Sequence, residues 1–239
     1  MMTILLFILL GFLVSIEAST SISRKSGYKI GNPSTGFVFQ SSLSLVSRAL
    51  IFMFMPLLGY LADKNELLKV PSDILYLYIF IPLLLWVLYI IRGKLEHIYI
   101  ILLHRMHTHG SFFKSIKNNN IDIKGYKKLK TLKKAKHFKK LYTIFLLSYV
   151  PYYLAWPVII ILLTLYNDNR AMILGMSSVF NGINTIIITL FIDPKLTQLG
   201  KYNNLIQYVY NDLVLLRFYA SLIAYLLLVL FILGLNIAN

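Results

Sequence analysis

Charged side chains inside apolar stretches are the first candidates for chemistry. Arg48 lies in the middle of the apolar run from Phe37 to Leu61. Glu17 lies late in an earlier run, and Arg24 follows it. An arginine at the centre of a membrane helix costs about 2.5 kcal/mol or more to insert, so it usually faces a partner, a cavity or an anion. The guanidinium fork suits phosphate, so the sequence predicts an ion pair between helices or a phosphate site.

Glu17 and Arg48 are expected to lie at similar depth. If the first helix descends and the second returns, Glu17 lies about 10 Å and Arg48 about 16 Å from the same membrane face, at a rise of about 1.5 Å per residue. We therefore expect a Glu17–Arg48 pair. The pair would either staple the two helices, or hold Arg48 until a phosphate replaces the carboxylate.

Two of the apolar stretches carry polar faces. Gln40, Ser44 and Ser47 recur at intervals of three or four residues, which places them on one face of a helix. Asn181 and Asn184 lie among glycines and serines in a later stretch. Such faces favour a cavity, although small residues also allow helices to pack closely. The predicted head-group site is Arg48, Glu17, Arg24, Ser47, Ser44, Gln40, Asn181 and Asn184.

The remaining motifs argue against catalysis, a metal and a cofactor. His104, His107 and His109 cluster, but Glu96 is the only carboxylate near them and the chain has no cysteine. A solvated or interfacial role is favoured over metal ligation. The sequence has no glycine-rich phosphate loop, no His-Glu-x-x-His and no Gly-x-Ser-x-Gly motif. We expect a protein that is not an enzyme.

Composition predicts the elements that position these residues. Hydrophobic residues make up 58% of the chain, charged residues 14%, and the mean hydropathy is +0.70. These values indicate an integral membrane protein. We expect an all-α bundle in one membrane domain, residues 1–239, with kinks at Pro56, Pro82, Pro151 and Pro157. The predicted spans are 3–23, 37–61, 74–91, 141–165, 171–192 and 213–235.

The distribution of basic residues predicts the topology. Of the 24 lysines and arginines, nineteen lie after the first, third and fifth predicted helices. The positive-inside rule places those loops in the cytoplasm and both termini outside. The net charge of +15 is therefore a topology signal, and no nucleic-acid partner is expected. The basic segment 93–140, which begins with a predicted interfacial amphipathic helix, either only sets this orientation or also binds anionic lipid.

Several motifs resemble those of the Amj family, the alternate lipid II flippases of bacteria. The amino-terminal part matches in Ile16-Glu-Ala-Ser-Thr20, Arg24-Lys-Ser-Gly27, Ser47-Arg48, Pro56-Leu-Leu-Gly59 and Asp63. The later part matches in Leu174-Gly-Met-Ser-Ser-Val-Phe-Asn-Gly182 and Thr189-Leu-Phe-Ile-Asp-Pro-Lys195. From the residues alone, this last motif, with Asp193 before Pro194, is predicted to end the fifth helix.

The resemblance implies a polytopic protein of the bacterial inner membrane. Such a protein would move an undecaprenyl-diphosphate-linked peptidoglycan precursor from the inner to the outer leaflet, with Arg48 and Arg24 on the diphosphate. Two alternatives remain open, a non-enzymatic scaffold that docks a partner through the basic segment, and a small-solute transporter. The sequence leaves the oligomeric state, the sugar and any ion coupling open.

Overall fold

The structure is a bundle of long helices with no strand in the part of the chain that it describes. The computed structural model describes residues 2–64, 67, 71–109 and 138–238. Most of the basic segment therefore lies outside the described residues. The helices are α1 (Met2–Lys29), α2 (Pro33–Asp63), α3 (Pro71–Tyr78), α4 (Phe80–His109), α5 (Lys139–Leu165), α6 (Arg170–Ile187), α7 (Asp193–Leu199) and α8 (Asn203–Ala238).

Six helical stretches are long and apolar enough to cross a membrane, which confirms the predicted all-α fold. All six predicted spans lie within or overlap them, and the chain is a multi-pass membrane protein by this criterion. The observed stretches are longer than the predicted spans because helices continue past the apolar windows into polar sequence. Their bounds are Met2–Lys29, Pro33–Asp63, Asp73–His107, Lys139–Leu165, Arg170–Leu199 and Leu205–Leu235.

A tight antiparallel hairpin joins α1 to α2. Gly31 has φ of +77°, which glycine adopts without the steric cost of a Cβ. Asn32 then caps α2, since its side-chain oxygen accepts the N–H of Thr35 at 3.3 Å. Within the hairpin, a Cβ on Gly27 would lie 2.6 Å from the Cα of Gly36. Only glycine fits this crossing, which fixes α2 against α1.

The apolar core centres on α5, which packs against α8 and α6. Trp156 is buried and meets Phe54 of α2 edge to face, with ring centroids 5.0 Å apart. Tyr153 is also buried, and its carbonyl accepts a hydrogen bond of 2.5 Å from the hydroxyl of Tyr78. By contrast, α2 and α6 expose large apolar side chains such as Phe52. Those faces suit lipid tails.

Proline shapes the third span. Pro82 lacks an N–H and its ring crowds the carbonyl four residues earlier, and the helix breaks near that carbonyl, between α3 and α4. From Phe80 the chain then continues as one α-helix to His109. The sequence from Gly93, which is predicted to form an interfacial amphipathic helix, is thus helical to His109 and continuous with α4. The helices α2 and α5 run through Pro56, Pro151 and Pro157 without ending.

Candidate functional site

Arg24 is the first residue of the predicted site that the structure places in a polar pocket. Its side chain leaves α1 toward Asp193, whose carboxylate accepts from Nη1 at 2.9 Å. The same nitrogen lies 3.4 Å from the hydroxyl of Tyr210, and Nε donates to the side-chain oxygen of Gln40. The ring centroid of Phe37 lies 5.0 Å from the guanidinium carbon. Arg24 is thus a buried cation whose partners come from three other elements.

Arg217 of α8 is a second buried cation beside the same pocket. It is 5% exposed, and its Nη2 donates to the hydroxyl of Tyr149 at 2.6 Å. The guanidinium carbon also lies 4.2 Å from the ring centroid of Tyr149. In the described part of the chain, Nε and Nη1 are buried and meet no partner with hydrogen-bond geometry, although the Tyr153 hydroxyl lies close enough to the guanidinium to interact with it. A buried charged donor without an acceptor is costly, so this guanidinium is chemically prepared for an anion.

The pocket between these two arginines holds about 320 Å³ of space free of atoms, part of which is open. Five helical stretches of the bundle contribute to its wall, and both polar and apolar side chains face it. The lining residues are Thr20, Ser21, Arg24, Gln40, Phe145, Tyr149, Ile188, Ile192, Asp193, Leu196, Tyr210, Leu213 and Arg217.

Gln40 of α2 and two residues of the turn that follows α6, Ile188 and Ile192, form part of the pocket wall. These helices touch where the Sδ of Met55 lies 3.8 Å from the Oγ of Ser177. Further along, Gln40 of α2 and Ile192, which follows α6, line the pocket. The two elements therefore meet near one end and flank an open space near the other.

Asp193 reaches Arg24 because a wide helical turn precedes it, which corrects the prediction that Asp193 and Pro194 end the helix. Residues Ile188–Ile192 form a π-helix, and the N–H of Asp193 bonds to the carbonyl of Ile188 five residues earlier. The helix then continues as α7 to Leu199. Proline has no N–H to donate to the preceding turn, and a π-turn accommodates the change. Such turns are frequent at functional sites.

The predicted Glu17–Arg48 pair is wrong. The two oxygens of Glu17 accept hydrogen bonds from the hydroxyls of Ser47 at 3.0 Å and of Tyr152 at 2.5 Å. Successive residues of an α-helix point about 100° apart. Since Ser47 faces Glu17, its neighbour Arg48 is turned away, and Arg48 is exposed. Glu17 therefore links α1, α2 and α5, whereas Arg48 does not line the pocket.

Three other predicted residues also lie away from the pocket. Ser44 and Asn181 are half-buried and do not line it. Asn184 is buried, but its side-chain oxygen accepts from the hydroxyl of Ser148 and so joins α6 to α5. The polar face of α2 divides in the same way. Gln40 lines the pocket, whereas Ser47 bonds to Glu17 outside its wall.

Sequence reasoning missed Arg217, Asp193, Tyr149 and Tyr210. Arg217 lies only four residues inside the predicted sixth span, and it is not included among the charges predicted inside the apolar spans. In the structure α8 begins ten residues earlier, at Asn203, and Arg217 lies well inside the helix. The available signal was the isolation of Arg217 between apolar residues, which is the same signal that marked Arg48.

A closed ionic cluster lies on the other side of α1. The Nζ atoms of Lys25 and Lys29 lie 2.6 Å and 3.0 Å from the carboxylate oxygens of Glu96. Lys25 also donates to the side-chain oxygen of Asn211 at 2.9 Å. Glu96 is 6% exposed, and both of its oxygens have cationic partners. This cluster joins α1, α4 and α8.

The histidine cluster lies at the end of α4. One ring nitrogen of His107 lies 3.0 Å from the side-chain amide of Asn32. The side chain of His109 lies outside the described residues. Within the described ranges, no group of three or more histidines, cysteines and carboxylates is arranged to hold a metal ion.

Comparison of the chain with protein-family models, with curated proteins and with solved structures gives no match. The resemblance to the Amj family therefore stays a prediction. What the structure establishes is a multi-pass helical bundle with two buried arginines at one partly open pocket.

Proposed function

We propose that this protein is a lipid-linked oligosaccharide flippase of the bacterial inner membrane. Its expected substrate is lipid II, the undecaprenyl-diphosphate peptidoglycan precursor, moved from the inner to the outer leaflet. One observation carries the proposal. Inside a membrane bundle, Arg217 lines a pocket that Arg24 also lines, and two of its buried N–H donors make no hydrogen bond within the described residues.

The arginine chemistry selects an oxyanion. A guanidinium can donate two parallel hydrogen bonds to phosphate, and such charge-assisted bonds are about twice as strong as neutral ones. Nε and Nη1 of Arg217 are on opposite sides of this fork, so each would donate to a different oxygen atom, and Nη2, which donates to Tyr149, lies between them. Arg24 adds a second positive charge, although Asp193 and Gln40 already occupy part of its fork. A diphosphate would therefore bind first to Arg217 and would then compete with Asp193 for Arg24.

The size and position of the pocket favour a ligand that is only partly enclosed. The pocket is small, and part of its space is open, so it suits a diphosphate group better than a disaccharide with its peptide. The sugar would remain at the mouth, and the polyprenyl tail would stay in lipid beside the apolar faces of α2 and α6. Arg48, exposed at the middle of α2, would meet a head group on its way across.

The anionic charge of such a substrate supplies a driving force. An inside-negative potential favours outward movement by about 2.3 kcal/mol per charge crossing 100 mV. Movement of a diphosphate lipid therefore does not require nucleotide hydrolysis by this chain. The predicted topology places the pocket in the cytoplasmic half of the bundle, because α1 ends near Arg24 and α8 begins before Tyr210.

A leaflet-accessibility assay tests the proposal. Purified protein is reconstituted into liposomes with a polyprenyl-diphosphate sugar, and an enzyme that modifies only the outer leaflet reports its appearance there. We expect transfer with the wild type, a strong loss with Arg217→Met and partial recovery with Arg217→Lys. Equal transfer by protein-free liposomes, or by Arg217→Met at equal incorporation, would contradict the proposal.

The small pocket volume also favours a second candidate, transport of a small water-soluble oxyanion. The same liposomes distinguish the two functions when they are loaded with radiolabelled phosphate or sulfate. Arg217-dependent accumulation of the free anion, without transfer of the lipid, would assign the pocket to a solute transporter.

A further inference from the structure

The helices α2 and α6 run antiparallel beside each other in one register. At one end, Nη1 of Arg170 lies 3.1 Å from the carboxylate of Asp63. Further along, Sδ of Met55 lies 3.8 Å from Oγ of Ser177. At the other end, Gln40 and the wide turn after α6 line the same pocket. The steps between these three points match within one residue on the two helices.

Arg48 lies on the flank of α2 that is next to α6, at the middle of the helix. It is seven residues from Met55 in the direction of the pocket. Since each residue of a helix turns by about 100°, Arg48 and Met55 point within about 20° of each other. Ser44 and Gln40 follow at intervals of four residues. Gln40, Ser44 and Arg48 therefore form a polar line on α2, from the pocket to the centre of the span.

The outer part of this polar line has no partner among the described residues. Arg48 makes no hydrogen bond and no ion pair there. The hydroxyl of Ser44 is also unbonded, whereas those of Ser41 and Ser42 bond to backbone carbonyls four residues earlier. On α6, the side-chain amide of Asn181, one turn from the α2 contact toward the pocket, is unbonded as well. Polar groups at this depth of a membrane are costly without a partner.

We propose that Arg48 is a second, transient binding site for the diphosphate of the transported lipid, which moves there from Arg217 along the polar line. This inference rests on the proposed function and names its path. Gln40 already accepts from Arg24, and Arg48 lies eight residues further, about 12 Å along α2. A cation halfway across lowers the cost of moving an anion through the apolar layer. It acts on the rate, because it stabilises the passing state and not the resting one.

Charge and depth identify the occupant of the Arg48 site. Lipid chains offer no hydrogen-bond acceptor. A second copy of this chain would need a free carboxylate at the depth of Arg48. Among the described residues Glu17 lies at that depth, and both of its oxygens accept hydrogen bonds inside the bundle, from Ser47 and Tyr152. The diphosphate of a lipid that changes leaflets must pass this depth, and it brings the acceptors that a guanidinium binds.

The test separates the rate of transfer from the affinity. Liposomes with a polyprenyl-diphosphate sugar report the initial transfer rate at saturating lipid, and calorimetry reports affinity for the same lipid. We expect Arg48→Gln to bind within about twofold of the wild type and to transfer about tenfold more slowly or worse. Arg48→Lys, which keeps the charge, should recover part of the rate. All variants are compared at equal incorporation.

Val46 offers the matched control, because it is exposed at nearly the same depth and points about 160° away from Arg48. Val46→Gln should transfer at the wild-type rate. The double variant Arg48→Gln/Val46→Arg keeps a cation at this depth on the opposite side of α2, and it should stay slow. Full recovery in that variant would overturn the second site, because any cation at this depth would then suffice.

Three further results would overturn the second site and leave the proposed function standing. These are a wild-type rate in Arg48→Gln, a loss of affinity as large as its loss of rate, and a change in its oligomeric state in nanodiscs. The last result would assign Arg48 to a contact between copies of the chain. Failure of the wild type to transfer the lipid would overturn both proposals.

Discussion

Arg24 and Lys25 are consecutive residues of α1, yet they belong to two ionic regions of different character. Lys25 lies in a closed cluster, where the Nζ atoms of Lys25 and Lys29 lie within 3.0 Å of the carboxylate oxygens of Glu96. Arg24 lies in the open pocket, where Arg217 keeps two buried donors without partners. In the first region, both oxygens of the carboxylate have cationic partners within the protein. The second leaves a charged group unsatisfied beside empty space, which is a cost that a binding site can recover when its ligand arrives.

The contrast separates stability from function. A closed ion cluster holds helices together and loses stability when one partner is removed. An unsatisfied buried cation destabilises the empty protein, and its removal damages only binding. Variants in the closed cluster should therefore change stability, and variants of the unsatisfied cation should change affinity.

Breaking the closed cluster should give the largest effect, a loss in the free energy of unfolding. Glu96→Ala leaves two lysine ammonium groups close together without their carboxylate, which for a buried pair costs about 3 to 5 kcal/mol. The free energy of unfolding, measured in detergent micelles by denaturant titration, should fall accordingly. The matched control is Asp63→Ala, because the Asp63 carboxylate that pairs with Arg170 at 3.1 Å has a side chain 74% exposed. Such exposed pairs contribute about 1 kcal/mol or less, and equal losses in both variants would contradict the distinction.

Removing the unsatisfied cation should lower affinity without lowering stability. Arg217→Met deletes two charge-assisted hydrogen bonds to the ligand, each contributing about 1.5 to 3 kcal/mol, so affinity for a diphosphate lipid should fall at least a hundredfold. The thermal midpoint of the ligand-free protein should stay equal or rise, because an unpaired buried charge is lost. Affinity is measured by calorimetry and stability by thermal unfolding. A large fall in stability with little change in affinity would make Arg217 a structural residue.

Removing the counter-ion of Arg24 should change diphosphate affinity by a smaller amount. Asp193→Asn keeps the shape of the side chain and removes the charge that competes with the ligand. We expect diphosphate affinity to rise several-fold, corresponding to about 1 kcal/mol. Thr197→Val, one helical turn further on an exposed position, should leave affinity unchanged. A fall in affinity in Asp193→Asn would mean that Asp193 positions Arg24 for binding.

Arg48 should give the smallest effect on binding. It is exposed and does not line the pocket, so Arg48→Gln should leave the equilibrium affinity within about twofold, or 0.4 kcal/mol. The same calorimetric titration measures it. A loss comparable to that of Arg217→Met would return the phosphate site to Arg48.

The sequence predicts the fold well and the site only in part, for different physical reasons. Hydropathy over some twenty residues locates a span whatever its neighbours are, so all six spans were found. Contacts depend instead on helical phase, and one residue decides the face. Ser47 and Arg48 occupy nearly the same depth, but only Ser47 points to Glu17. Depth alone could not distinguish them.

Asp193 and Arg217 show two further limits of the sequence. The wide turn at Ile188–Ile192 is a local rearrangement before proline, and a proline pattern more often indicates a helix end. Arg217 is buried because α8 begins early, in polar sequence that hydropathy assigns to a loop. Arg24 and Gln40 are predicted by simpler signals, a charge at the end of an apolar span and a polar face at helical spacing.

The most direct test of the central claim is a structure of the protein in a lipid nanodisc with a bound prenyl-diphosphate sugar. We predict a phosphate oxygen within about 3 Å of Nε or Nη1 of Arg217, with the prenyl chain leaving the pocket between α2 and α6. A diphosphate bound at Arg48 or at the loops, with the donors of Arg217 still unpaired, would contradict the account.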